Sequence, residues 1–588
     1  MVRSTPPSDL RPAFRADLER IWYAARELFN EEYDFLVPRD QVVLLNKIPY
    51  PDAGDEVIVS GYIVAHVFFD LKLFRWRFKP MYAGVHRMIE EEIGYYALVD
   101  LPKLARGFIV HKGNIIKSHL PERKGVYVAL KTINGKFYAL GERLPGSRIK
   151  VIKSWRRRSY NLSSRASTWD EAVRCNRDYI NWLEREAIDF IKDLSRKGFE
   201  GIYVSFSGGK DSLASYLITE KALGGVPILF NDTGIEMPET VEYVSMFAER
   251  TGVELISADA GDRFWAGLEV FGPPARDYRW CCKIVKLAPI IRAFREKYGL
   301  SKVLSIVGQR RYESFARFRS PRVWRNRWIP SLLSASPIND WTALDVWLYL
   351  FLNRATVNPL YEAGFDRLGC FLCPACEVAE FEAVRKLHPE LWEKWERVLS
   401  SYALGRGLGD KWVRYGLWRW RRIPGDISRE LRINNRLMGY DRGVRVTLSK
   451  VEEREGCSTY RFRINSDRLS YAFLPMLGRA TIDGDFLRID RRDASIVIDL
   501  RDRRYTVCSS ETDELAIDVL RLIVRSTLCI SCGLCTNWCP SGALRIDDRG
   551  LIFNSDKCTG CLICNKYCPI CKFLEIKLDK NMEKVNQI

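Results

Sequence analysis

The stretch Gly201-Ile202-Tyr203-Val204-Ser205-Phe206-Ser207-Gly208-Gly209-Lys210-Asp211-Ser212 reads as a buried strand (Ile202–Phe206), a glycine loop and the start of a helix. Working outward, Pro227–Phe230 is a second strand, Pro238–Arg250 a helix, Val253–Ser257 a third strand and Val303–Val307 a fourth. Strands alternating with helices imply a parallel sheet covered on both faces. The expected fold class is α/β, a doubly wound, Rossmann-like parallel sheet. In that setting the glycines let the backbone approach an anion, the amides at the helix start point at it, and Lys210 adds a positive charge. The spacing is not that of a Walker A loop, G-x4-G-K-[ST]. An isolated Ser-Gly-Gly would be no more than a turn, so the phosphate reading rests on the strand–loop–helix context.

Outside this unit, residues 1–165 read as an N-terminal α+β module. A helix from about Pro12 to Asn30 precedes short strand-like runs, and Asn134-Gly135 is a hairpin turn. Thr168-Trp169-Asp170-Glu171 is a capping box opening a helix to about Arg196, after a linker of arginines and serines. The α/β unit spans 166–425, a β-rich connector 426–512, and a cysteine-dense unit 513–588.

The chain has 588 residues, a net charge of +18 and ordinary globular composition, which excludes wholesale disorder. No run approaches the ~18 apolar residues of a membrane span. The start lacks the apolar core of a secretory signal, so no membrane association and a cytoplasmic location are expected. The positive charge suits acidic partners or simply a solvated surface. Nine of the 17 cysteines lie between Cys529 and Cys571, a clustering that points to metal thiolates rather than a disulfide framework. Cys175, Cys457 and Cys508 read as packed thiols. Scarce Gln (Gln41, Gln309, Gln587) with abundant charge is a hyperthermophile tendency.

Cys529-x2-Cys532-x2-Cys535-x3-Cys539-Pro540 is followed by Cys558-x2-Cys561-x2-Cys564-x3-Cys568-Pro569. This doubled run resembles two-[4Fe–4S] ferredoxins. One cluster would use Cys529, Cys532, Cys535 and Cys568, the other Cys558, Cys561, Cys564 and Cys539. Zinc is the alternative, but zinc sites have no use for eight cysteines in this register.

The glycine loop is similar to the PP-loop of ATP pyrophosphatases and of phosphoadenylyl-sulfate (PAPS) reductases. Further blocks narrow the resemblance to the PAPS reductase family over about residues 200–376: Asn231-Asp232-Thr233-Gly234, Arg279-Trp280-Cys281-Cys282 with Lys286, Gly308-Gln309-Arg310-Arg311-Tyr312-Glu313-Ser314 with Arg317, Asp340-Trp341-Thr342, Asn358-Pro359-Leu360-Tyr361 and Gly369-Cys370-x2-Cys373. The resemblance implies an adenine nucleotide, ATP or an adenylyl sulfonucleotide, held by Ser207–Ser212, Asp232, Thr233, Gly234, Arg310, Glu313 and Ser314. Lys210, Asp211, Arg310 and Arg317 would face the reacting group; each arginine alternatively pairs with a neighbour such as Glu313. Cys281, Cys282, Cys370 and Cys373 resemble the thiolates of adenylyl-sulfate (APS) reductases that bind a third [4Fe–4S] cluster, with a structural zinc as the alternative. The late nucleophilic cysteine of those reductases, in a Glu-Cys-Gly-type tail, is absent; Cys376 and Cys457 are the nearest candidates.

Two functions follow. In one, APS or PAPS is reduced to sulfite with electrons from the fused ferredoxin unit, itself fed by an external low-potential donor. In the other, a PP-loop sulfurtransferase adenylates and thiolates tRNA or another nucleic acid. Trp324–Trp328, Trp418–Arg422 and Arg75–Arg77 interleave rings and charge, which suits either base stacking or a core with snorkelling arginines. Size and β content of the N-terminal module suit an RNA-binding unit of the PUA type.

Overall fold

The computed structural model describes residues 5–6, 8–159, 165–299, 301–329, 331–433, 443–547 and 549–578. Residues 160–164 of the expected linker, with Ser163 and Ser164, lie outside them. A six-stranded sheet forms the centre, in the order Leu255–Asp259, Ile228–Asp232, Gly201–Ser205, Val303–Val307, Leu332–Ala335, Val323–Arg325. The first five are parallel and Val323–Arg325 is an antiparallel edge. From Gly201–Ser205 the chain turns first to one side (Ile228–Asp232) and later to the other (Val303–Val307). That reversal opens a crevice at the carboxyl ends of the strands, where such sheets bind ligands. The glycine loop and Gly308 meet there.

Glycine is required at both places. Gly208 has φ of +73°, a conformation side chains disfavour. A Cβ on Gly308 would stand 2.4 Å from the Asp211 carbonyl and 2.6 Å from the Ser212 nitrogen, so only glycine lets that loop lie against the start of helix Lys210–Leu223.

The N-terminal module holds an antiparallel sheet and a mixed one, in which Tyr96–Val99 runs parallel to Tyr127–Thr132. The first runs Arg11–Pro12, Val43–Lys47, Gly54–Val59, Tyr62–Asp70, Arg75–Pro80; the second has six strands, including Tyr127–Thr132 and Phe137–Leu144 around the expected Asn134-Gly135 turn. Helix Arg15–Phe29 buries Ile21, Ala24, Ala25 and Leu28. The Thr168 hydroxyl accepts the Glu171 amide at 3.2 Å, as its capping box requires.

A seven-stranded sheet follows, and its edge strand is Leu574–Leu578, from beyond the cysteine runs, parallel to Val444–Arg454. The cysteine-dense unit is thus tied into the β-rich connector at its far end. Helix Thr512–Leu528 packs Leu520, Leu522, Ile523 and Val524 into the same core. Cys457 and Cys508 correct the packed-thiol expectation: they face each other on paired strands and form a disulfide. Their pairing depends on strand register, which neither residue's local sequence reveals. Disulfides do persist inside the cells of hyperthermophiles. Among the described residues, no helix is long and apolar enough to cross a membrane.

Candidate functional site

The glycine loop borders a cavity of about 390 Å³ lined by Ser207, Gly209, Lys210, Asp211 and Ser212 from the loop, and by Gly308, Arg310, Tyr312, Glu313 and Arg317 from the segment after Val303–Val307. N-cap Gly209 has no side chain to cap the helix, which leaves the amides of Asp211 and Ser212, residues that line the cavity, for an anion. The Lys210 amide donates to the Tyr361 hydroxyl at 2.7 Å. The expected loop residues are therefore brought together, with Gly208 behind them, its position set against Val244 and Thr240.

The cations differ from expectation. Arg310 is buried and offers no open fork. Its Nε donates to Asp211 at 2.6 Å, and its two terminal nitrogens donate to the Asp9 carboxylate at 2.8, 3.0 and 3.1 Å. Asp9 Oδ1 also accepts the Ala343 amide at 2.6 Å, at the start of helix Ala343–Leu352. Lys210 Nζ pairs with Asp211 at 2.9 Å. These two cations hold the Asp211 carboxyl below its ordinary range despite burial. Arg317 pairs with Glu313, as the alternative reading had it. Ser314 lies away from the cavity and caps helix Phe315–Phe318 by accepting the Arg317 amide at 3.3 Å.

Asp232, Thr233 and Gly234 do not border the loop cavity either. Asp232 accepts the Gly234 amide at 2.8 Å, and the buried Thr233 hydroxyl donates to Glu236 at 2.8 Å and lies 3.4 Å from Cys370 Sγ. The end of the second strand therefore shapes a second cavity, of about 210 Å³, into which Cys281, Cys282, Cys370, Cys373 and Cys376 all face. The Cys281 hydrogen bond outweighs burial and, with Arg279 and Lys286, pulls Cys282 down to about 5. The Cys376 hydrogen bond does the same for Cys373, to about 6. Burial pushes Cys370 well up. The two cavities lie side by side and share four wall residues, Lys47, Lys286, Arg367 and Leu368.

Among the described residues, no three His, Cys, Asp or Glu side chains converge closely enough for a single metal ion. A cubane spreads its thiolates over four irons, so the C-terminal cysteines are tested by the company they keep. Cys568 sits near enough to Cys529, Cys532 and Cys535 to raise each of them, though burial is the larger cause. Cys539 and Cys561 likewise act on Cys558, again after burial. These are the two crossed sets expected from spacing. Between them lies Arg525, wholly buried, its Nη1 3.1 Å from Cys564 Sγ and 2.5 Å from Asn565 Oδ1. Its Nε and Nη2 have no hydrogen-bond partner among the described residues. A buried cation with orphaned donors among thiols, and no carboxylate beside it, suits an anionic group on each side.

The cysteine unit docks on the α/β unit through its first run. Arg295 donates to the Thr536 and Asn537 carbonyls at 3.0 and 3.1 Å, and Arg263 to the Ser531 carbonyl at 3.3 Å. A π-helical turn, Cys282–Leu287, links the sites: Cys282 faces the five-cysteine cavity, and Ile284 lines a cleft with Cys529, Cys532, Cys535 and Cys568. Single π turns are frequent at functional sites.

Of the aromatic–basic stretches, Trp418–Trp420 packs inward, Arg75–Arg77 is half-buried, and Trp324–Trp328 leaves Arg325 and Arg327 exposed. Trp418 and Arg419 are fully buried, Arg419 pairing with Glu377 at 3.2 Å and Asp52 at 3.5 Å. The Arg20 guanidinium covers Trp76, and the Lys283 ammonium covers Trp328.

The phosphoadenosine phosphosulfate reductase domain matches residues 201–376, which hold the central sheet, the glycine loop and all five cysteines of the second cavity. Adenosine 5'-phosphosulfate reductase of Burkholderia cepacia is 31% identical over 179 residues, 29% of this chain and 68% of that one. The chain belongs to the PAPS reductase family. Two uncharacterized proteins of Methanocaldococcus jannaschii are similar over far more of it. MJ0066 is 36% identical over 71% of this chain and 91% of its own length, and MJ0973 is 32% identical over 68% and 92%. Family membership accounts for the loop and the cysteines but not for Asp9, Arg11 and Lys47, which also line the nucleotide cavity. Sequence reasoning missed those three; they lie some 150 residues or more before the domain, in no motif.

Proposed function

We propose that this enzyme binds an adenylyl sulfonucleotide at the glycine loop and reduces it to sulfite, drawing electrons from its own cysteine-rich C-terminal unit. One observation supports the reading: the glycine-loop cavity shares a wall with the five-cysteine cavity, and a single helical turn leads from there to the C-terminal thiols. The reaction breaks the sulfur–oxygen bond to the nucleotide phosphate. Two electrons pass to sulfur, which leaves as sulfite, and the bond pair leaves with the phosphate oxygen. The loop amides and Lys210 anchor the phosphate, while Lys286 and Arg367 neutralise the charge that builds on sulfur and the leaving oxygen. Cys281, Cys282, Cys370 and Cys373 would hold one cluster, and the eight C-terminal cysteines two more; bound there, such clusters supply one-electron transfer. The fused unit would make a separate thiol donor, and hence the missing cysteine tail, unnecessary.

A second reading is favoured by Cys376. The cavity holds five thiols where a cubane takes four, which leaves one to carry, as a persulfide charged by an external sulfane-sulfur donor, the outer sulfur passed to an ATP-activated nucleic-acid base while the thiol is regenerated. The two are separated by incubating anaerobically prepared, iron-loaded protein with APS or PAPS and dithionite, and separately with ATP and tRNA. Sulfite with AMP (or its 3'-phosphate) supports reduction. Pyrophosphate and thiolated tRNA without sulfite replace it with the second reading.

A further inference from the structure

We propose that Lys47, from the N-terminal module, is a substrate-binding residue that holds the terminal oxyanion of the bound nucleotide where the loop cavity meets the cysteine cavity. The inference rests on the nucleotide reading above and adds to it a residue outside the family domain.

The cations around the loop cavity fall into two groups. Lys210, Arg310, Arg317 and Arg11 are each paired with a carboxylate: Asp211, Asp9 and Asp211, Glu313, and Asp17 respectively. Lys47, Lys286 and Arg367 make no ion pair or side-chain hydrogen bond among the described residues, and all three stand in the wall shared by the two cavities. Unengaged cations gathered in one shared wall beside a phosphate loop define a place for a tetrahedral oxyanion one group beyond the anchored phosphate. A sulfonyl group or the next phosphoryl group has that chemistry.

Lys47 is held there by backbone. It ends strand Val43–Lys47, and its register partner is Asp55 on Gly54–Val59. Its side chain lines the cavities, open to their space but walled in by the surrounding protein. The carboxylates that keep it protonated, led by Glu380 and Asp366, act from beyond ion-pair distance, although burial alone would favour the neutral form. The N-terminal module is therefore a wall of the site and not a detached arm.

The test compares nucleotides with and without the terminal group by calorimetry on the full chain. Lys47→Met is expected to raise the Kd for APS by about 10- to 100-fold and to leave that for AMP within about twofold. Lys47→Arg is expected to recover most of the APS affinity, which a purely structural role would not produce. If wild type binds ATP but not APS, the comparison runs as ATP against AMP, and selective loss of ATP supports the assignment. Unchanged APS affinity in Lys47→Met, or equal loss of APS and AMP, overturns it while leaving the nucleotide reading in place. A wild-type protein that binds no adenine nucleotide overturns that reading, and this inference with it.

Discussion

Replacing Asp9 by Ala tests whether the carboxylate–guanidinium cluster at the phosphate loop is structural, an anion site, or both. The substitution removes the acceptors of three Arg310 contacts at 2.8–3.1 Å and of the Ala343 amide at 2.6 Å. Breaking a buried ion pair from one side costs about 3–5 kcal/mol. Here Asp211 stays on Arg310 Nε at 2.6 Å, and the open cavity lets water reach the vacated nitrogens. The net loss should therefore be about 2–3 kcal/mol, or ~4–12 °C in the transition of the α/β unit. The freed fork and amide then form a ready oxyanion site, so sulfate should stabilise the variant more than the wild type. Differential scanning fluorimetry across a sulfate series reads both effects. A variant as stable as wild type, or one with no gain in sulfate response, would refute the role given to Asp9.

Two further outcomes are expected. Burial, outweighing the attraction of Glu56, pulls His66 down to about 4; an unfolded histidine takes up its proton near ~6.5. Its folded pKa is depressed, so stability present above pH ~6.5 is lost as pH falls toward ~4, by about 2–3 kcal/mol. Urea unfolding of His66→Asn should show that much less decline than wild type across the window, and parallel curves would defeat the argument. Arg525→Met removes a buried cation with two unpartnered nitrogens. The metal-free protein should become no less stable, while the iron-loaded protein should show a midpoint potential lower by ~50–100 mV in a redox titration, from a loss of ~1–2 kcal/mol of stabilisation of the reduced state. An unmoved potential would show that Arg525 does not face a redox centre.

What could be read along the chain was what lies close together in it. The strand, glycine loop and helix start of Gly201–Ser212 are contiguous, and each cysteine run sits on one short loop, so composition and spacing suffice. Gly308 is an intermediate case: its motif is visible, but the reason for glycine is contact with Asp211, nearly a hundred residues earlier. The roles of the charged residues were hidden for the same reason. Arg310 looks like a phosphate fork until Asp9 is placed against it, and no local pattern brings residue 9 to residue 310. The disulfide between Cys457 and Cys508 depends on the register of two strands separated by most of the connector. Lys47 is the sharpest instance. Within its own strand it is an unremarkable exposed end, and only packing of the first sheet against the Phe365–Leu368 segment brings its charge to the wall the cavities share. A family signature thus marks where the chemistry is placed, whereas the residues that distinguish one member's substrate from another's can come from modules the signature does not cover. Variation at Lys47, rather than in the glycine loop, is where a change of terminal group should first be felt.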